Sequence, residues 1–407
     1  MCQRLAIALL MAAGLHVTDV TARPYPGFSG LAATADSAAT AGNNPAGSTR
    51  LEKRAIEVEA MWFRSESKWE SGFEESGDPS TSKSSSDTVV PRIFYVEPIN
   101  ENTAFSFTVL GAGFSDDLGD WPGRYFLREY DALYISALPS LARRLNDKWS
   151  VAGSVAITYA SYEQERAVAN LFDPGYGDGK SRIETDSVEF GFGLSALYEM
   201  DAATRLGIAW SSQIDATQEG KNRLSGLGPR TEEVMRNLGV LGADIEVQSQ
   251  SPQSVLLGLY HEFSNRHAVT IDGAWIDFSE FRLSEFYFNG QGFLASEQKF
   301  KDILALAVSY SWPVAERWML GIGGMVTSQM IDDEERTMSL RLDSIASLGV
   351  AAEWQWKPDY CIEASLSYMD FGDSPVSTEP IPGLGTFSGK YVSRATYLLQ
   401  VSLKYGG

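Results

Sequence analysis

The feature that most limits what this chain can fold into is an apolar/polar alternation with period two. In "YLLQVSLKY", Tyr397, Leu399, Val401, Leu403 and Tyr405 share one face, and Leu398, Gln400, Ser402 and Lys404 share the other. "CIEASLSYM" sets Ile362, Ala364, Leu366 and Tyr368 against Glu363, Ser365, Ser367 and Met369. "WMLGIGGMV" and "WSVAGSVAITY" repeat the pattern around Trp318 and Trp149. Successive side chains of a strand point to opposite sides, so each strand meets two different environments. Sustained helical periodicity is absent.

A soluble sandwich also alternates, and two further regularities distinguish a membrane barrel. Trp and Tyr sit at the ends of the apolar faces, where a lipid–water boundary favours them. The connections also alternate in length. "EPINENT", "RLNDK", "EMDAAT", "FSNRH", "PVAER" and "KPDY" are short. Long polar stretches near 65–88, 114–127, 162–184, 214–250, 279–300, 328–342 and 371–391 lie between them. Short periplasmic turns facing long external loops are the barrel arrangement. The strands so delimited fall near 54–64, 89–97, 103–113, 128–143, 149–161, 185–198, 204–213, 251–262, 267–278, 301–312, 317–327, 343–356, 360–370 and 392–405. The expected fold is therefore all-β, a 14-stranded antiparallel transmembrane barrel over 54–407. Closure leaves no sheet edge in lipid.

Composition agrees. No stretch after residue 22 approaches the ~18 consecutive apolar residues of a spanning helix. A net charge of -20 argues against nucleic acid as a partner, because phosphate binding needs Lys and Arg. Residues 1–22 read as a secretory signal, with Arg4, the apolar Leu5–Leu15 and "VTA" ending at Ala22. Cys2 lies in that signal, so Cys361 has no partner for an intrachain disulfide. The loop at 65–88 is rich in Ser, Glu and Gly and is expected to be mobile. Residues 23–53 carry no strand pattern and are long enough to fold back into the lumen.

The small-residue run "AATADSAATAGNNPAG" before the first strand is similar to the N-terminal segment of the FadL/TodX-type family of outer-membrane transporters for long-chain fatty acids and hydrocarbons. The resemblance continues through "VPRIFYVEPINENTAFSFTVLGAGF", "DWPGRY", "LPSLARRLNDKWSVAGSVAITYA", "AWIDFSEF", "DDEERT" and "FSGKYVSRATYLLQVSLKY". It implies a fourteen-stranded barrel in the outer membrane, plugged by an N-terminal hatch at 23–53 whose motif residues are Asp36, Asn43, Asn44, Pro45 and Ala46. It also implies a hydrophobic ligand that enters from outside and leaves sideways beside a kink in the third strand. Gly111 and Gly113 are the candidates there, since glycine weakens pairing or permits close approach. Two departures stand out: the hatch is short, and the chain ends "KYGG" rather than on an aromatic residue.

Other chemistry is thin. His261 and His267 do not make a zinc site, and "DPGYGDGKSRIETD" lacks calcium-loop spacing. "GFGLSA" (Gly191–Ala196) lies inside a strand with no helix after it, so it is no dinucleotide site. No metal, cofactor or catalytic residue is expected, and the acidic loops are read as facing outer-membrane lipid and lipopolysaccharide. In "RLSEFYFNGQGFLA", Leu283, Phe286, Tyr287, Phe288, Phe293 and Leu294 form a candidate capture surface for greasy ligands, and "VMRNLGVLG" (Val234–Gly242) a short amphipathic turn. The reading is a monomeric passive transporter of hydrophobic molecules, not an enzyme. A structural or adhesin-like barrel, a polar porin, and a barrel lipase using His261 or His267 remain the alternatives.

Overall fold

A computed structural model of the chain describes residues 23–72, 81–281, 285–288, 291–293, 299–336, 338, 343–378 and 383–406. The signal segment 1–22 lies outside the described residues. All strands join one antiparallel sheet that closes on itself. Its traverses are β1 (Ala55–Ser71), β2 (Thr81–Asn100), β3 (Thr103–Asp117), β4 (Glu129–Arg144), β5 (Trp149–Val168) and β6 (Gly179–Glu199). β7 runs Thr204–Ser211 and resumes as Ile214–Ser225, and β8 runs Asp244–Ser251 and resumes as Ser254–Glu262. β9 (Ala268–Ile276), β10 (Ile303–Ala315), β11 (Trp318–Thr327), β12 (Ala346–Lys357), β13 (Tyr360–Asp370) and β14 (Ser388–Gly406) complete the fourteen. β14 returns to β1, with pairs from Ala55↔Gly406 to Ser71↔Gly389.

The packing is inverted relative to a soluble protein. Leu141, Ile157, Phe190, Phe192, Leu304, Leu348 and Val350 are exposed, whereas Ser106, Thr108, Ser140, Thr270, Ser309, Ser311, Ser367 and Lys404 are buried. An apolar band facing outward and a polar interior suit a sheet solvated by hydrocarbon. Rings gather at the short-turn end. Trp149 lies 4.7 Å from Tyr198, Trp318 stacks on Trp354 at 5.7 Å, and Tyr360 meets Tyr405 at 5.1 Å.

Several strands outrun their apolar stripes. Residues 65–71 and 81–88, read from sequence as mobile loop, continue β1 and β2 as paired strands up to Glu70↔Thr81. Residues 214–225 and 244–251 pair likewise, and between them Pro229–Asn237 forms a helix, α1. These extensions rise beyond the apolar band. Both faces are then polar, so period-two contrast vanishes while the backbone ladder continues.

Candidate functional site

Residues 23–53 are packed against the inner faces of the strands. Asp272, on the inward side of β9, accepts the backbone N–H groups of Gly30, Leu31 and Ala32 at 2.7, 3.2 and 3.1 Å. Arg205, on β7, donates to the Ala33 and Thr34 carbonyls at 3.0 and 2.5 Å. Asn44 is fully buried, and its amide donates to the Ala32 carbonyl at 2.6 Å and to Ala196 of β6 at 3.1 Å. Pro45 opens a 3-10 turn over Pro45–Arg50 in which Ala46 donates its N–H to Ser195 at 3.1 Å. Asp36 accepts the Arg23 N–H at 3.2 Å, and Arg23 forms an ion pair with Glu262 at 2.6 Å. Glycines on the wall permit this approach. A Cβ on Gly207 would lie 1.9 Å from the Ala32 carbonyl oxygen, and one on Gly321 would lie 2.3 Å from that of Pro24.

The opposite wall is different. Its inward charges pair with one another: Arg92 with Glu59, and Lys404 with Glu353 at 3.1 Å and Glu363 at 2.5 Å. Glu57 reaches the segment, accepting the Ala39 N–H at 3.2 Å. A cavity of about 310 Å³ remains on this side, lined by Asp36, Asn43, Glu57, Glu59, Glu363 and Lys404 among others. Of the motif residues read from sequence, Asn44, Pro45 and Ala46 therefore meet the β6 side, while Asp36 and Asn43 face the cavity.

Gly111 and Gly113 sit where the wall parts. β2 and β3 pair from Asn100↔Thr103 to Arg92↔Leu110, and there the ladder stops. Beyond it β3 continues to pair with β4 as far as Asp117↔Glu129, and β2 continues to pair with β1. Pro91 stands just beyond the last rung and has no N–H to offer. A Cβ on Gly111 would lie 3.1 Å from the Pro91 carbonyl oxygen, so the two edges stay close without hydrogen bonding. Directly across from this stretch, Ala112 faces Tyr134 of β4, which faces Ala160 of β5. Tyr134, Tyr162 and Arg166 share the inward side of β4 and β5, and Tyr162 lies within electrostatic reach of both Tyr134 and Arg166. Every described hydrogen bond and ion pair leaves the Arg166 guanidinium and the Tyr134 and Tyr162 hydroxyls unmatched among the described residues.

At the outer mouth the aromatic residues cover one another. Trp121 of "DWPGRY" is fully buried, donates its indole N–H to the Leu127 carbonyl at 2.6 Å, and packs edge-on against Trp69 at 5.5 Å. In the β5–β6 connection, by contrast, Leu171, Phe172 and Tyr176 are exposed, as is Leu238 just after α1. Of the capture surface read from sequence, Leu283 and Leu294 lie outside the described residues. Phe286, Tyr287, Phe288 and Phe293 are described by backbone alone, in a hairpin whose first strand pairs with the upper part of β8. His261 meets the Thr204 hydroxyl at 3.0 Å and His267 meets the Tyr310 hydroxyl, both at the short-turn end.

Sequence reasoning passed over Asp272, Arg205, Arg166 and Pro91. Asp272 and Arg205 carried a usable signal, a charge at inward parity in an otherwise apolar strand, whereas Arg166 sits among other polar residues and carried none. Pro91 carried another, because proline inside a strand marks an edge.

A family profile described as "Outer membrane protein transport protein (OMPP1/FadL/TodX)" matches residues 5–405. The "Long-chain fatty acid transport protein" of Escherichia coli O6:H1 is 22% identical over 374 residues, covering 84% of this chain and 83% of that protein. Among solved structures, a Pseudomonas aeruginosa FadL homologue superposes with a TM-score of 0.84 at 19% identity, covering 96% of this chain and 99% of the other. The P. putida toluene transporter TodX gives 0.69 at 16% identity, covering 94% and 97%. With the closed barrel, its inverted packing and its internal N-terminal segment already in place, the match over nearly the whole length identifies the chain as a member of the OMPP1/FadL/TodX family of outer-membrane transport proteins.

Proposed function

We propose that this barrel carries long-chain carboxylic acids inward across the outer membrane, and that it does so passively. The observation that carries the reading is the Arg166–Tyr162–Tyr134 group on the inner wall, unmatched by other described side chains and lying across from the interrupted β2–β3 ladder. A guanidinium with adjacent phenols suits a carboxylate, which accepts charge-assisted hydrogen bonds. The exposed Leu171, Phe172, Tyr176 and Leu238 support capture at the mouth. Apolar transfer of about 25 cal/mol per Å² favours it. The packed segment 23–53 supports the role of a hatch closing the lumen below, and the parting beyond Gly111 supports sideways release into the bilayer. No nucleotide-binding pattern accompanies them, and apolar partition supplies the driving force.

Uptake of labelled oleate and of toluene by cells with and without the protein tests this reading. Expression raises oleate uptake, and Arg166→Ala lowers the affinity for oleate by about tenfold, in line with a charged hydrogen bond of about 1.5 kcal/mol. Toluene uptake is unchanged by the substitution. Oleate uptake that ignores Arg166→Ala removes the head-group assignment. If expression raises uptake of toluene alone, the cargo is a neutral hydrocarbon instead.

A further inference from the structure

With residues 1–22 read as a signal, the mature chain begins at Arg23, directly after "VTA". The Arg23 backbone nitrogen lies inside the lumen, 3.2 Å from Asp36 Oδ2. The Arg23 side chain is tied to the wall beside it. Its guanidinium donates to the Arg266 carbonyl at 2.6 Å and pairs with Glu262 at 2.6 Å. The next residues form a stiff end, because Pro24 and Pro26 fix their own φ angles and have no N–H that needs an acceptor. They lie against Gly321 of β11 and Gly349 of β12, where added Cβ atoms would come within 2.3 and 2.7 Å of them. Between them the Tyr25 hydroxyl accepts that of Ser311 at 3.4 Å. The chain then doubles back past β10 and β9, where Ser29 meets Ser309 and Asp272 holds residues 30–32. At Asp36 it returns to Arg23, so this one contact closes residues 23–36 into a loop.

Asp36 lacks a cation of its own. Lys404, Arg205, Arg23 and Arg50 lie within its electrostatic reach, and each is committed elsewhere. Lys404 is held by Glu353 and Glu363, Arg50 pairs with Glu199, and the Arg23 guanidinium pairs with Glu262. Arg205 donates to the Ala33 and Thr34 carbonyls. Among the described residues, Asp36 accepts one hydrogen bond, that of the Arg23 nitrogen. A carboxylate drawn into a lumen with one amide donor is poorly satisfied, since charged groups in such places are paired. A free chain end changes the balance. The nitrogen of an amino-terminal residue is chiefly an ammonium at neutral pH. It brings a positive charge and further N–H donors, and a charge-assisted hydrogen bond is roughly twice as strong as a neutral one.

We propose that cleavage after Ala22 converts the Arg23 nitrogen into an α-ammonium that pairs with Asp36, and that this ion pair anchors the start of the mature chain inside the lumen. The cleavage is a hydrolysis catalysed by a signal peptidase. Water breaks the Ala22–Arg23 peptide bond, its oxygen going to the Ala22 carboxylate and both its protons to the Arg23 nitrogen. Before that step the same atom is a neutral amide and offers Asp36 a single N–H. Removing the signal therefore does more than release the chain: it creates the cation that Asp36 lacks. The two prolines keep the new end from wandering, and the Arg23–Glu262 pair holds it beside its acceptor. The anchor is independent of which molecule is carried and of whether the segment seals the lumen.

The test uses the processed barrel, purified from outer membranes in detergent. Its intact mass gives the first residue, and Arg23 is expected. Reductive methylation with formaldehyde and cyanoborohydride then reads the α-amine, because only an unprotonated and accessible amine attacks the aldehyde. The amine of the barrel reacts at least about tenfold slower than that of the free peptide "RPYPGF". Asp36→Asn keeps an acceptor oxygen and removes the charge, so a site that needs only an acceptor is left as it was. The ion pair predicts instead that this variant's α-amine reacts at least about fivefold faster than the wild type's. Lys148, exposed in the β4–β5 turn, keeps its wild-type rate in the same sample. If Asp36→Asn gives no folded barrel, a glycine inserted between Ala22 and Arg23 moves the ammonium by one residue, ~3.8 Å, and gives the same acceleration. A mature chain that starts at another residue, an α-amine as reactive as the peptide's, or an Asp36→Asn rate equal to the wild type's would overturn the anchor.

Discussion

Both sides of the lumen carry inward charged groups and use them in opposite ways. On the β6–β9 side, Asp272 and Arg205 spend their hydrogen bonds on the backbone of residues 30–34, and Asn44 ties that backbone to β6. On the β12–β14 and β1–β2 side, Lys404 is held between Glu353 and Glu363, and Arg92 is held by Glu59. There the strands are bound to each other, and the segment is held by one hydrogen bond to Glu57 and by packing of Ala38 and Ala41 against Phe94 and Val96 of β2. The first wall grips the N-terminal segment; the second braces itself and leaves a cavity. Charge in a barrel interior is therefore not one kind of feature. What matters is whether its partner belongs to the wall or to the segment inside it.

Three substitutions sharpen that contrast. Lys404→Met leaves two buried carboxylates without their cation, and breaking a buried pair this way costs about 4 kcal/mol. Its expected signature is a large loss of barrel stability, measured by urea unfolding in detergent or lipid, with the segment still docked. Asp272→Ala leaves three backbone N–H groups of the segment without an acceptor, a loss of about 3 kcal/mol. The expected signature here is a rise in permeation of small sugars in liposome swelling, with the barrel's own unfolding midpoint changed little. If instead the barrel melts early and stays sealed, the grip assigned to this wall is wrong. Glu57→Gln keeps an acceptor for the Ala39 N–H and changes either readout by less than about 1 kcal/mol. A leak as large as that of Asp272→Ala would make both walls equal holders of the segment.

Fold and site were legible to different degrees, for a physical reason. Wherever a strand crosses hydrocarbon, lipid enforces contrast between its faces, so "YLLQVSLKY" and "CIEASLSYM" announced β14 and β13, and Tyr360–Asp370 is where the alternation put it. Above the apolar band that pressure ends. The serines of 82–86 and the polar run 214–225 therefore looked like loop although they are laddered. The family resemblance pointed to Asn44, Pro45 and Ala46 as a motif, and all three are buried. It did not point to Asp272 or Arg205, because their role is fixed by which strand lies across the lumen from which carbonyl. Arg166 was hidden in the same way. Its neighbours Glu163 and Glu165 in the sequence face the other side, where Arg182 and Lys180 take them, and only the register leaves Arg166 alone on the inside.

The ladder that closes the barrel joins residues about 350 positions apart, Ala55 with Gly406 at one end. Every other neighbouring pair of traverses is adjacent in sequence and can form as a hairpin, whereas β1 and β14 must wait for the whole chain to be made. Until they meet, each presents a bare edge about sixteen residues long, a template for pairing with another chain. The cost of bringing such distant ends together grows only slowly with length. The long register then repays it in one step, with a single irregularity between Glu66 and Lys68. Biogenesis of this protein is thus governed by its last contact: without β14, thirteen hairpin-linked strands can pair correctly and still present two bare edges that hydrocarbon cannot satisfy.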